Sequence, residues 1–218
     1  MSENYKAVLW DFGGVITSSP FEAFAAYEKQ NGLPENFIRG INATNPDSNA
    51  WAKFERSDID AASFDTAFLA EAEARGHSVR GGDVLALLAG AIRPEMVAVL
   101  ERLKAEGYRI ACITNNVKTG AGAGMARTQE KADAVAKVMQ LFEHVIESSE
   151  VGVRKPDPAI YQMACDKLGV APSDCVFLDD LGINLKPARA MGMGTVKVVS
   201  AAQGIADFCL LYTSDAAD

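Results

Sequence analysis

Only four cysteines, Cys112, Cys165, Cys175 and Cys209, occur in 218 residues, and none forms a C-x-x-C pair. That argues against a disulfide framework, and the thiols read as free, buried and kept in a reducing compartment. Basic residues are outnumbered, 21 Lys and Arg against 29 Asp and Glu, for a formal charge of −8. Such an acid excess argues against nucleic acid or an anionic membrane surface as a partner. It leaves a small anionic substrate open, since one local site reverses the field. No apolar run reaches the roughly 18 residues of a membrane-spanning helix, and the polar start MSENYK does not look like a secretory leader. Internal repeats and low-complexity linkers are also lacking. These absences point to a cytoplasmic soluble protein. With 49% hydrophobic residues it has enough apolar material for one large domain, or a core with a smaller inserted lobe.

What is present has a clear rhythm. Residues 5–10 form a short apolar run with no polar face, as expected of a strand buried on both sides. From Pro20 to about Gly90 the apolar residues recur at helical spacing, separated by short Gly, Pro, Asn and Asp breaks, and no strand is evident. Pro94 then opens a helix that Gly107 closes. After it, strand and helix alternate: strands at 108–113, 144–148, 175–179 and 194–199, with helices at 129–142, 157–169 and 183–192 between them. Alternation of this kind predicts βαβ units and a parallel sheet. The expected fold is an α/β, Rossmann-like core of residues 1–17 and 91–208 with helices on both faces, interrupted by a helical insertion over 18–90.

The tail, 209–218 (CLLYTSDAAD), breaks with this style. It resembles the translated end of a transposon adapter used in sequencing libraries. The expectation is that the native sequence ends near Phe208, that a final helix is missing, and that the tail has no part in function.

In open parallel sheets ligands bind outside the carboxyl ends of the strands. The first strand ends in Asp11, followed by Gly13 and Gly14; the second ends in Thr114, Asn115 and Asn116; the fourth ends in Asp179 and Asp180. Lys155 stands in the loop VRKPDP, held by Pro156 and Pro158. Each is weak alone: paired acids often cap helices, a strand-end hydroxyl often bonds the backbone, and a loop lysine is usually solvated. Brought to one rim, they form a site for a hard cation and a phosphoryl group. Magnesium takes carboxylate and carbonyl oxygens, and phosphoryl oxygens take a hydroxyl, N–H groups and a lysine.

The segments WDFGGV, ITNN, KPDPAIY and FLDDLGINLKPARAMG resemble the four motifs of the haloacid-dehalogenase superfamily, across most of the chain. They look most like the subgroup related to the N-terminal phosphatase domain of soluble epoxide hydrolase, and the insertion matches that superfamily's cap. The resemblance implies a Mg²⁺-dependent phosphatase of small phosphorylated metabolites, with a homodimer plausible. Asp11 would be the nucleophile, and Thr114 would hold phosphoryl oxygens with Asn115 near the substrate. Lys155 would neutralise charge. Asp11, the Gly13 carbonyl, Asp179 and Asp180 would hold the metal, and Asn184 would orient the acidic pair.

One departure matters. Family phosphatases carry a second Asp, the general acid and base, where this chain has Gly13. Such help contributes about 10²- to 10⁴-fold. A weak or inactive phospholigand binder is therefore an alternative, and a haloacid dehalogenase a more distant one. Dehalogenases of the family also lack that Asp, but usually carry an aromatic there and lack the double acid. His77 in the insertion is a candidate substitute, although a lone histidine in a Gly-flanked loop is usually a surface residue. Phe21, Phe24, Trp51 and Phe54 are either apolar lining for the substrate or the insertion's own core.

Overall fold

A computed structural model of the chain describes residues 5–116 and 129–213. Five parallel strands form one sheet in the order β3-β2-β1-β4-β5, with β1 (Ala7–Trp10) at its centre. Strand β2 (Arg109–Thr114) and β4 (Cys175–Asp179) flank it, and β3 (His144–Glu147) and β5 (Gly194–Lys197) form the edges. The central strand is apolar on both faces because both are covered. Val8 and Trp10 point to one side, where they meet Met96, Leu100 and Leu103 of α6 (Pro94–Ala105) and Val135 and Val138 of α7 (Gln129–Met139). Ala7 and Leu9 point to the other, against Ile160, Tyr161 and Ala164 of α9 (Pro158–Leu168) and Leu185 of α10 (Gly182–Ala190). A single helical turn, α8 (Ser148–Val151), follows β3.

Between β1 and α6 lie five helices: α1 (Pro20–Gln30), α2 (Phe37–Ala43), α3 (Ala50–Glu55), α4 (Ala61–Glu73) and α5 (Gly81–Ala86). They bury a cluster of their own around Phe24, Ile38, Phe54, Phe64 and Phe68, with the Phe54 and Phe64 rings stacked 4.6 Å apart. The two connections to the core run side by side. Thr17 and Ile92 form an antiparallel bridge, and Ser18 N–H donates to Ala91 O at 2.8 Å.

Beyond β5 the chain is helical: α11 (Ala201–Thr213) packs on the sheet and runs through Phe208 into the tail, and its buried Phe208 ring lies 6.4 Å from the ring of Trp10. Residues 201–208 supply that contact from their own helical spacing. The last five residues of the 209–218 tail lie outside the described residues. Cys112, Cys165 and Cys175 are buried thiols outside any disulfide, and Cys209 is exposed. Among the described residues no helix is long and apolar enough to cross a membrane.

Candidate active site

Asp11 leaves the sheet at the carboxyl end of β1. Its N–H still donates to Leu178 O at 2.9 Å, which continues the strand pairing and fixes where the side chain starts. Its Oδ1 accepts from the next residue, Phe12 N–H, at 2.7 Å. The chain then winds tightly through residues 12–16. The two glycines of this turn differ in kind. Gly14 has φ +80°, and a Cβ there would meet Asp180 Oδ2 at 2.3 Å. It is glycine for both reasons. Gly13, at φ −70° and ψ 128°, has ordinary extended backbone, and a Cβ there would meet nothing within 4 Å. Its missing side chain answers no constraint of the fold. Arg93, just before α6, secures the turn by donating from Nη1 to Gly14 O at 2.9 Å.

Lys155 is 1% exposed, and its ammonium sits between two carboxylates, 2.8 Å from Asp11 Oδ1 and 2.8 Å from Asp179 Oδ2. Burial alone would drive this amine toward its neutral form. The charges of Asp11 and Asp179 outweigh that and hold it protonated, above the ordinary lysine range. Asp11 is pushed well above the usual carboxylate value, first by burial and then by the neighbouring Asp179 and Asp180, with Lys155 pulling the other way. Asp180 is pushed up to about 6, by burial and then by the charge of Asp179; Lys155 and Ser19 oppose the rise.

The acidic pair is divided in its work. Asp179 is fully buried, and both its oxygens already accept: Oδ1 from Leu181 N–H at 2.8 Å and Asn184 Nδ2 at 3.0 Å, Oδ2 from Lys155 Nζ at 2.8 Å. Asn184 thus holds Asp179 alone and not the pair, and Tyr161 fixes Asn184 in turn by donating its hydroxyl to Asn184 O at 2.8 Å. Asp180 is the member that reaches the cavity, where Ser19 Oγ donates to its Oδ2 at 3.3 Å. One oxygen each from Asp11, Asp179 and Asp180 lies within 4.8 Å of the others, an all-oxygen set that suits a hard divalent cation.

Thr114 is buried at the end of β2 and borders the cavity, and its hydroxyl has no hydrogen-bond partner among the described residues. Asn115 also borders the cavity, but its amide is committed to the lysine loop. Nδ2 donates to Lys155 O at 2.9 Å and Oδ1 accepts from Lys155 N–H at 2.8 Å. It positions Lys155 rather than presenting a free amide to a ligand.

Over these residues opens a cavity of about 920 Å³. Its far wall is the helical insertion. Phe21, Phe24 and Trp51 line it, whereas Phe54 is absorbed in the insertion's core. His77 packs edge-on to Phe37, with ring centres 5.0 Å apart, away from the cavity lining. It is no substitute for a carboxylate at position 13.

Further contacts tie insertion to core. Arg154 Nη2 lies 2.6 Å from Glu55 Oε2, and Arg154 Nη1 donates to Pro46 O at 3.0 Å. Ser148 Oγ donates to Glu55 O at 2.8 Å. Glu55 is buried, and burial raises its pKa above the usual carboxylate value against the pull of Arg154. Ser19 had a legible signal, a serine before proline at a helix start. Glu55 and Arg154 had none, because nothing in sequence links a helix end in the insertion to the loop of Lys155.

The family model described as haloacid dehalogenase-like hydrolase matches residues 5–192. Acyl-CoA dehydrogenase family member 10 of Mus musculus is 32% identical over 200 residues, covering 89% of this chain and 18% of that protein. Bifunctional epoxide hydrolase 2 of Rattus norvegicus is 38% identical over 124 residues, 55% of this chain and 21% of its own length. The chain thus spans about a fifth of these relatives. A family enzyme from Bacteroides thetaiotaomicron, solved with magnesium and inorganic phosphate, shares the fold at TM-score 0.58 and 22% identity over 88% of this chain and 93% of its own.

Proposed function

Because the chain belongs to the haloacid dehalogenase-like hydrolase family, we propose that it is a Mg²⁺-dependent phosphatase of small phosphate monoesters, acting through Asp11. The observation that carries this reading is the asymmetric setting of the Asp11 carboxylate. Oδ1 is held by Lys155 Nζ and Phe12 N–H, while Oδ2 makes no hydrogen bond among the described residues and is the oxygen free to attack. The preorganised ammonium and N–H fix the nucleophile without requiring reorganisation during the reaction. A phosphoryl group placed in the cavity meets the unpartnered hydroxyl of Thr114. Attack by Oδ2 on phosphorus would form an aspartyl-phosphate, which water then hydrolyses.

Asp11, Asp180 and the Gly13 carbonyl would hold the cation, with Asp179 behind them. Magnesium bound there would offset the carboxylate charge and withdraw electron density from the phosphoryl group. The fold relative solved with magnesium and phosphate supports this assignment. With no carboxyl at Gly13, the departing alkoxide takes its proton from solvent, so turnover depends steeply on how well the alcohol leaves.

Gly13 also favours a second reading, a protein that binds phosphorylated ligands with little turnover. Phosphate release from a panel of monoesters with and without Mg²⁺, beside halide release from a haloacid, separates the readings. The phosphatase predicts Mg²⁺-dependent phosphate and no halide, fastest with aryl esters. Tight ester binding with no phosphate released would establish the binder. Metal-independent halide release would contradict both.

A further inference from the structure

Four cationic side chains line the cavity over Asp11: Arg39, Arg56, Arg154 and Lys155. Three are committed. Lys155 is held by Asp11 and Asp179, Arg154 by Glu55, and Arg56 by Asp58 at 2.9 Å. Arg39, exposed on α2, makes no ion pair or side-chain hydrogen bond among the described residues. Its guanidinium carbon lies instead 4.3 Å from the centre of the Phe21 ring, which also lines the cavity.

Stacking of this kind sets the plane of the guanidinium. It leaves the N–H groups along the edge available, a planar fork suited to a carboxylate or phosphate. The cavity's other acids do not neutralise it. Glu55 is paired with Arg154, Asp157 Oδ1 accepts from Ala159 N–H at 2.9 Å, and Asp47 is exposed with no ion pair to Arg39. In a chain of formal charge −8, Arg39 is a cation of the cavity lining that has no ion-pair partner among the described residues and is held on an aromatic ring. The insertion also contributes the apolar rings of Phe24 and Trp51. A volume of about 920 Å³ is far more than a phosphoryl group needs and falls among cavities that enclose whole small molecules.

We infer that the ligand is a phosphate monoester bearing a second anionic group on an apolar spacer, and that Arg39 receives that second group. The inference rests on the proposed phosphatase reading for the first anion alone.

The test is calorimetric binding to the Asp11→Asn variant in Mg²⁺, so that no ester is consumed. The probes are hexyl phosphate, the same ester with a terminal carboxylate, and the same ester with a terminal phosphate. The expected result is about ten-fold tighter binding of at least one terminally anionic ester, its identity showing which anion is preferred. Arg39→Met in the same background abolishes the preference and Arg39→Lys retains part of it. Arg39 is exposed, so these changes leave the packing in place, and a melting curve checks it. Equal binding of all three esters, a preference that survives Arg39→Met, or no binding at all would overturn the inference. Failure of the phosphatase reading is seen separately, as a preference retained in binding while the wild-type protein releases no phosphate from any of the three.

Discussion

A methyl group on Gly14 would lie 2.3 Å from Asp180 Oδ2. The turn after β1 and the acid after β4 are packed so closely that position 14 tolerates only hydrogen, and its φ of +80° excludes most other residues independently. Gly14→Ala is expected to displace Asp180 and to lower Mg²⁺-dependent phosphate release at least ten-fold. It should also cost about 1 kcal/mol or more of stability from the backbone alone. Kinetics over a Mg²⁺ titration together with urea unfolding check both parts.

Removing the ammonium of Lys155 leaves Asp11 and Asp179 facing each other in the interior. Lys155→Met is expected to destabilise the protein by about 3–5 kcal/mol, the usual cost of breaking a buried pair from one side. It should also abolish activity. Asp11→Asn in the same chain relieves part of the uncompensated charge, so the double variant is predicted to be more stable than the sum of the two single effects. Denaturant midpoints of the three variants and the wild type provide the cycle.

Gly13→Asp is expected to fold, since the backbone there is ordinary and the space beside it is open. A carboxyl at this point would supply the missing proton donor. The gain should approach about 10²-fold on alkyl phosphates, whose alcohols leave poorly, and be small on aryl phosphates, which need no acid. Measured rates across a leaving-group series decide it; a uniform change in all esters would mean that another group already performs this step.

Asp180 gives the pH dependence. Its pKa is raised to about 6 in the fold from an ordinary value of 3.8. The folded state therefore binds a proton that the unfolded state has released, and stability from this group is present below the ordinary value and lost as pH rises through about 6. A divalent cation opposes that loss by favouring the ionised carboxylate. The melting temperature without metal should fall between pH 4 and 7 more in the wild type than in Asp180→Asn, and stabilisation by Mg²⁺ should grow across the same window. Melting curves with and without Mg²⁺ at three pH values test it, and a Mg²⁺ effect that does not change with pH would contradict the assignment.

How far the site could be read from sequence depended on the range of the interaction. Asp11, Thr114 and Asp179 end apolar runs, and parallel-sheet topology sends such ends to one rim, so their convergence was legible. The sheet around them was legible for the same reason. Asn115 was not, because its amide turns to the Lys155 peptide, a contact between residues 40 apart in sequence. The division between buried Asp179 and cavity-facing Asp180 was hidden too, since adjacent acids look alike until the Lys155 ammonium is placed. The roles of the two glycines emerged only from backbone angles. Helix α11 was not legible because only the large side chains of Ile205 and Phe208 mark its buried face before the unusual residues from Cys209 onward begin.

Asp11 is the proposed attacking group, and phosphate release by wild-type and Asp11→Asn proteins, side by side in Mg²⁺ with an aryl phosphate, is the direct test of that role. The prediction is steady release by the wild type, reduced to background in Asp11→Asn with the fold intact by melting curve. Equal release by the two proteins, or none above background from either, would contradict it.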